Sequence, residues 1–307
     1  MTSTIKSKKR IRWALYIMLI PGIVLTLIYS YGPMMGLSIA FQKFDFTKGL
    51  FGSEWVGLKN FRYIFAMPDF KRALGNTLFI ASLKIVLGLV FPIFVSIMLN
   101  EVRQTGYKRT IQTLIYLPHF VSWIIVAGIM QNLLSPGTGM VNAAIQALGF
   151  EPIYFLGDPK VFPFTMIVTD IWKGFGMGTI LYLAAITGID PSLYEAASID
   201  GANRFQKMIH ITLPGIVAIV VLNATLSMGG VLSAGFDQIF NMYSSVVYST
   251  GDVIDTLVYR VGIQGVRGAL PQYEIATAIG LFKSVVSAIL IGTAYYLAHK
   301  FADYKIF

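Results

Sequence analysis

Glu195-Ala196-Ala197-Ser198-Ile199-Asp200-Gly201, followed by Ile211-Thr212-Leu213-Pro214, fills a short polar interval between two long apolar runs, and its reading decides the fold. Asp190 suits the cap of a helix and Pro191 its first turn: an aspartate oxygen accepts a free backbone N–H there, and proline has none to leave unpaired. Glu195, Ala196 and Ala197 continue that helix. Asp200-Gly201 ends it, since glycine takes the left-handed backbone that a sharp stop requires. A second short helix is predicted from Asn203 to about Ile211, meeting Pro214 at the membrane edge. Two small helices held at an angle make a protrusion that fits a partner's groove.

Outward from this elbow the chain is apolar. Of 307 residues 55% are hydrophobic and 13% charged, a balance rare in water-soluble domains. Six runs long enough to cross about 30 Å of hydrocarbon are read near 13–32, 74–99, 111–134, 162–189, 211–232 and 275–298, with the elbow in the loop 190–214. This is an all-α integral membrane protein of one domain. The first run is not read as a cleavable signal peptide: it is too long, it contains Pro21-Gly22, and no convincing small-residue cleavage site follows.

Basic residues set the expected orientation. With the N-terminus inside, the inner segments hold Lys6, Lys8, Lys9, Arg10, Arg12, Arg103, Lys108, Arg109, Arg204, Lys207, Lys300 and Lys305. The outer segments are about twice as long and hold nine Lys or Arg, so both termini and the elbow are expected in the cytoplasm. The net charge of +9 then reflects topology and contact with anionic lipid headgroups. A nucleic-acid partner is not expected, because no basic soluble module with stacking aromatics is present. Zero cysteines exclude disulfides, thiolate metal sites and a cysteine nucleophile.

Three outer loops stand out by length, at 33–73, 135–161 and 233–274. The first carries Phe41, Phe44, Phe46, Phe51, Trp55, Phe61 and Phe65, more aromatic surface than a solvated loop needs, and is expected to pack on the membrane face or the other loops. The third mixes Gly235-Phe236-Asp237-Gln238-Ile239-Phe240 with a polar run. It is expected to touch a docked partner or close an outer gate.

The elbow pattern, Glu-Ala-Ala, three residues, Gly, nine residues, Ile, one residue, Leu-Pro, resembles the cytoplasmic coupling loop of ATP-binding-cassette (ABC) importer permeases. A chance match of all its fixed letters has odds on the order of one in a million. Leu19-Ile20-Pro21-Gly22, Tyr31-Gly32-Pro33, Ala40-Phe41, Trp55-Val56-Gly57-Leu58-Lys59-Asn60-Phe61, Asp170-Ile171-Trp172-Lys173-Gly174 and Gly251-Asp252-Val253-Ile254-Asp255-Thr256 extend the likeness over essentially the whole chain. Together they resemble the binding-protein-dependent sugar permeases, and within them the LplB-like branch, associated with import of oligosaccharides from plant or algal polysaccharides. The resemblance implies a type I importer permease fold in a bacterial cell membrane. It also implies a second permease subunit, two cytoplasmic ATPases and an extracytoplasmic sugar-binding protein as partners. Glu195 would offer charge to a basic partner group, Ala196 and Ala197 close approach, Asp200 and Gly201 the turn, and Leu213-Pro214 the join to the fifth span. No Gly-x-x-x-x-Gly-Lys-Ser/Thr phosphate loop occurs, so ATP and magnesium would belong to the ATPase and the chain would be no enzyme by itself.

Four charges fall inside the predicted spans: Lys84, Asp170, Lys173 and Lys283. An isolated charge in lipid costs roughly 2.5–3.5 kcal/mol even on the gentle insertion scale, so each should face the bundle or a wet cavity. Asp170 and Lys173 are expected on one helix face. Asn76, His119, Trp123, Trp172, Asn223 and Gln131 are candidates to surround them, since sugar recognition combines aromatic faces with amides and charges. Alternatively, Asp170 neutralises one lysine and the others snorkel to the surface. His119, beside Pro118, reads as a helix-break residue, because one histidine makes no metal site. The run Gly174, Gly176, Gly178 reads as close helix packing or a loosened helix. The excess of two positive charges points to an anionic, uronate-containing cargo, with a neutral oligosaccharide as the other possibility. An ion-gradient carrier and a membrane-embedded enzyme are the competing classes. The first wants two related halves with broken helices, and the second paired acids or an activated nucleophile.

Overall fold

The computed structural model describes residues 13–265 and 270–302. Lys6, Lys8, Lys9, Arg10, Arg12 and Lys305, which bear on the orientation, lie outside the described residues. Among the described residues the fold is helical, with one two-residue strand pair: β1 (Gln42–Lys43) lies antiparallel to β2 (Glu54–Trp55).

The first helix, α1 (Trp13–Thr26), continues through a wide π turn (Leu27–Tyr31) and a 3-10 stretch (Gly32–Phe41). The first run therefore ends at Phe41 rather than near 32. Pro33 does not stop it because it stands in the first turn of the 3-10 stretch, where a missing N–H costs nothing. α2 (Pro68–Glu101) likewise starts earlier than the expected 74. Pro68 fixes its first turn, and Asp69 complements the positive end of the helix dipole.

The run at 111–134 is not one straight span. α3 (Thr105–Tyr116) gives way to a 3-10 turn (Leu117–Phe120), and α4 (Trp123–Leu133) leaves at 102°. Pro118 cannot donate to the helix behind it, and Ser122 caps a new one by accepting from the Ile125 N–H at 3.4 Å. α5 (Phe162–Thr187) is the central helix. It packs along much of α2 and buries Phe162, Met166, Thr179 and Tyr182 completely. Asp170, Lys173 and three glycines lie in its middle.

Beyond α6 (Pro191–Ile199) and a short helix (Arg204–Lys207), a π turn (Met208–Thr212) passes without interruption into α7 (Leu213–Ser227). The second short helix, expected to run to about Ile211, instead continues through Pro214. The wide π turn lets the Leu213 N–H donate to the Met208 carbonyl and leaves room for a proline ring that an ordinary turn would crowd. α8 (Phe236–Met242) and α9 (Ile254–Tyr259) then lead to α10 (Tyr273–Ala302). Among the described residues, four helical stretches, Tyr16–Phe41, Pro68–Glu101, Arg204–Gly230 and Tyr273–Leu297, are long and apolar enough to cross a membrane, and the bent α3–α4 pair makes a fifth if it is taken as one span.

The three long loops are packed. Phe41 stacks on Trp55, while Phe44 and Phe46 meet Tyr273, and Phe65 meets Phe282 edge-on. The aromatic loop is thus glued to α10. In the second loop the buried Asn142 amide donates to the carbonyls of Leu134, Ser135 and Ile153 and accepts from the Ile153 N–H at 2.7 Å. Residues 233–264 are packed into the interior: Gln238, Ile239, Val247, Val253, Ile254, Thr256 and Leu257 are all fully buried, with Ile239, Val247 and Val253 in one apolar core and Ile254 and Leu257 in another.

Candidate coupling elbow and translocation cleft

The elbow is built by its own local chemistry. Asp190 caps α6 by accepting the Ser192 N–H at 2.9 Å, and that N–H together with the Ser192 hydroxyl holds the Asp190 carboxyl below the usual carboxylate range. Gly201 sits at φ +77°, the left-handed position. Around it the Ala202 N–H donates to the Ala197 carbonyl (2.9 Å) and the Gly201 N–H to Ser198 (3.2 Å), the paired bonds of a Schellman stop. Asn203 and Gln206 then exchange side-chain-to-backbone bonds of 2.9 and 2.8 Å, a capping box that starts the second helix.

Side chains brace the two helices against each other. Lys207 Nζ donates to Ser198 Oγ (2.6 Å), Ser198 Oγ to the Tyr194 carbonyl (2.6 Å), and the Tyr194 and Thr212 hydroxyls share a bond of 2.9 Å. Arg204 reaches Glu101 at the end of α2 (3.7 Å). Glu195 and Ala196 are exposed, as are the large apolar side chains of Leu193, Ile199 and Phe205. Ile199 is 88% exposed, and a solvent-facing apolar group next to an acid with no ion-pair partner among the described residues has the makeup of a docking surface.

The polar residues expected inside the bundle separate into distinct places. A cleft of about 330 Å³ is lined by Lys84, Asp170, Asn223, Ser227 and Ser233. Lys84 is almost wholly buried, and its three N–H bonds are spent: on Asp170 Oδ1 (3.3 Å), the Ala234 carbonyl (2.7 Å) and Gln238 Oε1. Asp170 is 36% exposed and keeps an oxygen free to accept. Asn223 donates to the Tyr182 hydroxyl (2.9 Å), and its own carbonyl accepts from Ser227 (2.8 Å).

Lys173 turns away from Asp170. Its ammonium donates to the His119 carbonyl (2.8 Å), one that the helix break leaves without a helical partner, and lies 5.2 Å from the centre of the Trp123 ring. His119 itself is exposed, with its ring edge-on to Phe120 at 5.8 Å. Lys283 pairs with Asp255. Asn76 donates to the Ser249 and Asp252 carbonyls, tying α2 to the segment before α9. Gln131 donates to the Asn241 carbonyl. Trp172 lies in an apolar groove with Ile129, Phe164 and Val168, among residues that leave the cleft.

Two corrections follow. Asp170 and Lys173, three apart, do not share a site. The expected excess of two cations shrinks to one, because Asp255 supplies a counter-ion for Lys283 and leaves three lysines against two carboxylates. Gln238 and Asp255 escaped the sequence reading because their segment looked like a loop, although Phe236, Ile239 and Phe240 already show helical spacing. Gln238 is fully buried and also donates to the Met166 carbonyl and Thr169 Oγ1, both at 2.7 Å. The glycine run serves close packing: a Cβ on Gly176 would lie 2.0 Å from the Ile115 carbonyl oxygen, and one on Gly178 would lie 2.8 Å from Pro92.

The comparisons agree with this geometry. Residues 88–302 match the family model described as binding-protein-dependent transport system inner membrane component. Protein LplB of Bacillus subtilis (strain 168) is 46% identical, over 97% of this chain and 92% of its own length. The polygalacturonan/rhamnogalacturonan transport system permease protein YteP of the same organism is 41% identical, over 95% of this chain and 90% of its own. Among solved structures, a chain of a bacterial ABC transporter involved in import of the acidic polysaccharide alginate superposes with a TM-score of 0.86 at 40% identity, covering 94% of this chain and 96% of that one. A chain of the alginate transporter in complex with alginate pentasaccharide-bound periplasmic protein gives 0.87 at 39%, covering 96% of each. Nothing in these matches supports an ion-gradient carrier, and ATP hydrolysis in such importers is the work of a separate subunit. The chain belongs to the family of inner-membrane components of binding-protein-dependent transport systems, as a multi-pass permease of an ABC importer with the type I fold.

Proposed function

We propose that this chain is one half of the membrane path for an acidic oligosaccharide. A second permease supplies the other half, two cytoplasmic ATPases supply the motion, and an extracytoplasmic binding protein delivers the cargo. The reading has six spans, with both termini and the elbow on the cytoplasmic side, in keeping with the basic residues of the short inner loops. Closure of the ATPases pushes on the α6 elbow, and the unbroken helix from Arg204 into α7 carries the movement to the cleft. Glu195, Ala196, Ala197, Asp200 and Gly201 form the contact and its turn, and Leu213-Pro214 join it to the span.

Lys173 carries the cargo reading. It is the intramembrane lysine with no carboxylate partner among the described residues, and it stands over Trp123 with two N–H bonds to spare. An ammonium beside an indole suits a uronate ring, whose carboxylate meets the charge while its C–H face meets the aromatic. Asp170 and Asn223 accept sugar hydroxyls in the cleft, and Lys84 holds Asp170 in place. The relatives point the same way, since YteP is named for polygalacturonan and rhamnogalacturonan and the structural neighbours for alginate.

The test is uptake by the complete complex in vesicles, with its binding protein, of a galacturonate trimer and of its carboxyl-reduced galactose counterpart. Lys173→Gln should cut galacturonate uptake about tenfold, the worth of one charge-assisted bond. Stimulation of ATP hydrolysis by the neutral trimer alone would end the acidic reading.

A further inference from the structure

A separate polar recess lies at the far end of α2. At about 1.5 Å per residue, Asp69 stands about 48 Å along the helix from Glu101, which pairs with the elbow. The recess is therefore at the opposite end of the molecule from the ATPase-facing surface. It consists of two adjoining concavities of about 370 Å³ each that share Asp69 and Arg72. Asp252, Arg260 and Tyr248 line one of them, and Tyr63 lines the other. Nothing in the coupling or cleft chemistry uses these groups.

The recess is rich in donors. Arg260 is pinned between the Asp252 carboxylate and the face of Tyr248, 4.8 Å from its ring centre. It forms one bond to Asp252, and its buried Nε–H has no acceptor among the described residues. Arg72 gives one N–H to Asp69 and is nearly half exposed, so most of its fork faces open space. A guanidinium carries five N–H donors in a plane that matches a carboxylate. Two such groups, one against the face of Tyr248 and with Tyr63 lining the adjoining space, have the chemistry of an acidic-sugar subsite in a space of ligand size.

We propose that this recess is an entry subsite for one uronate unit of the cargo, whose carboxylate is taken by Arg72 in competition with Asp69. Arg260 is a positioning residue here: paired with Asp252, it holds the wall. The inference rests on the acidic-cargo reading above. It predicts opposite signs for two neighbours, which a merely structural pair would not show. Removing Asp69 frees the fork, and removing Arg72 abolishes it.

The experiment is direct binding of a radiolabelled galacturonate trimer, and of its carboxyl-reduced galactose counterpart, to the full complex in nanodiscs without the binding protein. Arg72→Gln should weaken galacturonate binding about fivefold, and Asp69→Asn should strengthen it about twofold, values discounted for the exposure of the pair. The galactose trimer should respond to neither. If both variants leave galacturonate binding unchanged, or shift the two trimers alike, the subsite is overturned. If Arg72→Gln instead weakens docking of the sugar-free binding protein, the recess is a protein contact and the proposal is equally lost. A wild-type complex that transports the neutral trimer and ignores galacturonate defeats the cargo reading itself. Galacturonate transport with silent variants defeats only the subsite.

Discussion

Within one short glycine run, neighbouring positions carry opposite requirements. Gly176 faces the Ile115 carbonyl at a distance no side chain tolerates, whereas a Cβ on Gly174 would meet nothing within 4 Å. Gly176→Val should therefore force α5 away from α3 at a cost of about 1–3 kcal/mol or more. Gly174→Ala should stabilise the helix by about 0.5–1 kcal/mol. Thermal unfolding of the purified complex checks the pair, and equal shifts would show that the close contact is not formed. Gly201 differs again. Its Cβ position is open, so Gly201→Val pays only for the left-handed backbone, about 1–2 kcal/mol. On the proposed coupling role, that should reduce co-purification of the ATPase while the remainder of the chain folds.

Among the elements, the elbow and α7 form one lever in the proposed coupling, since helix runs unbroken from Arg204 into α7. The π turn absorbs Pro214, and the Tyr194–Thr212 bond closes a strut between α6 and the base of α7. Tyr194→Phe removes that hydroxyl and leaves the exposed Glu195 surface intact. ATPase attachment and basal hydrolysis should then stay near wild type while sugar molecules moved per ATP fall. Full coupling in Tyr194→Phe, measured in vesicles, would show that the strut is dispensable. The α3–α4 pair shows the converse. Pro118 and Ser122 impose a sharp bend, and Lys173 from another helix satisfies the carbonyl left at the break. Lys173→Gln retains a donor, whereas Lys173→Leu leaves the carbonyl unpaired. The leucine variant should unfold at lower temperature than the glutamine variant if this bond is structural as well as functional.

At the scale of the whole molecule, the proposed arrangement places the elbow and the Arg72 recess at opposite ends of α2, on opposite sides of the membrane. The cysteine-free background allows a direct check. A cysteine at Ser198 should react with an impermeant thiol reagent only from the cytoplasmic side, and one at Ser244 only from outside. The reverse pattern at either position would overturn the topology. Glu195→Lys should abolish ATPase pull-down without changing this labelling, which separates assembly from insertion.

Much of this was legible in the chain itself. Apolar runs, caps and glycine stops are local, since each depends on residues a few positions apart, and so the elbow emerges with its Asp190 cap and its left-handed Gly201. The aromatic loop was expected on the membrane face or the other loops, and its contact with α10 came only from the packing. Partner choice across long distances was not legible either. Lys84 meets Ala234 and Gln238, Lys283 meets Asp255, and Lys173 meets the His119 carbonyl rather than joining Asp170. Each buried cation takes whatever acceptor the packed helices bring within reach, because an unpaired charge or carbonyl in a low-dielectric interior costs more than any local preference. The sequence by itself determined the long apolar runs and the caps and glycine stop of the elbow. Only the tertiary structure decided which polar side chains face the cleft and which hold the bundle together.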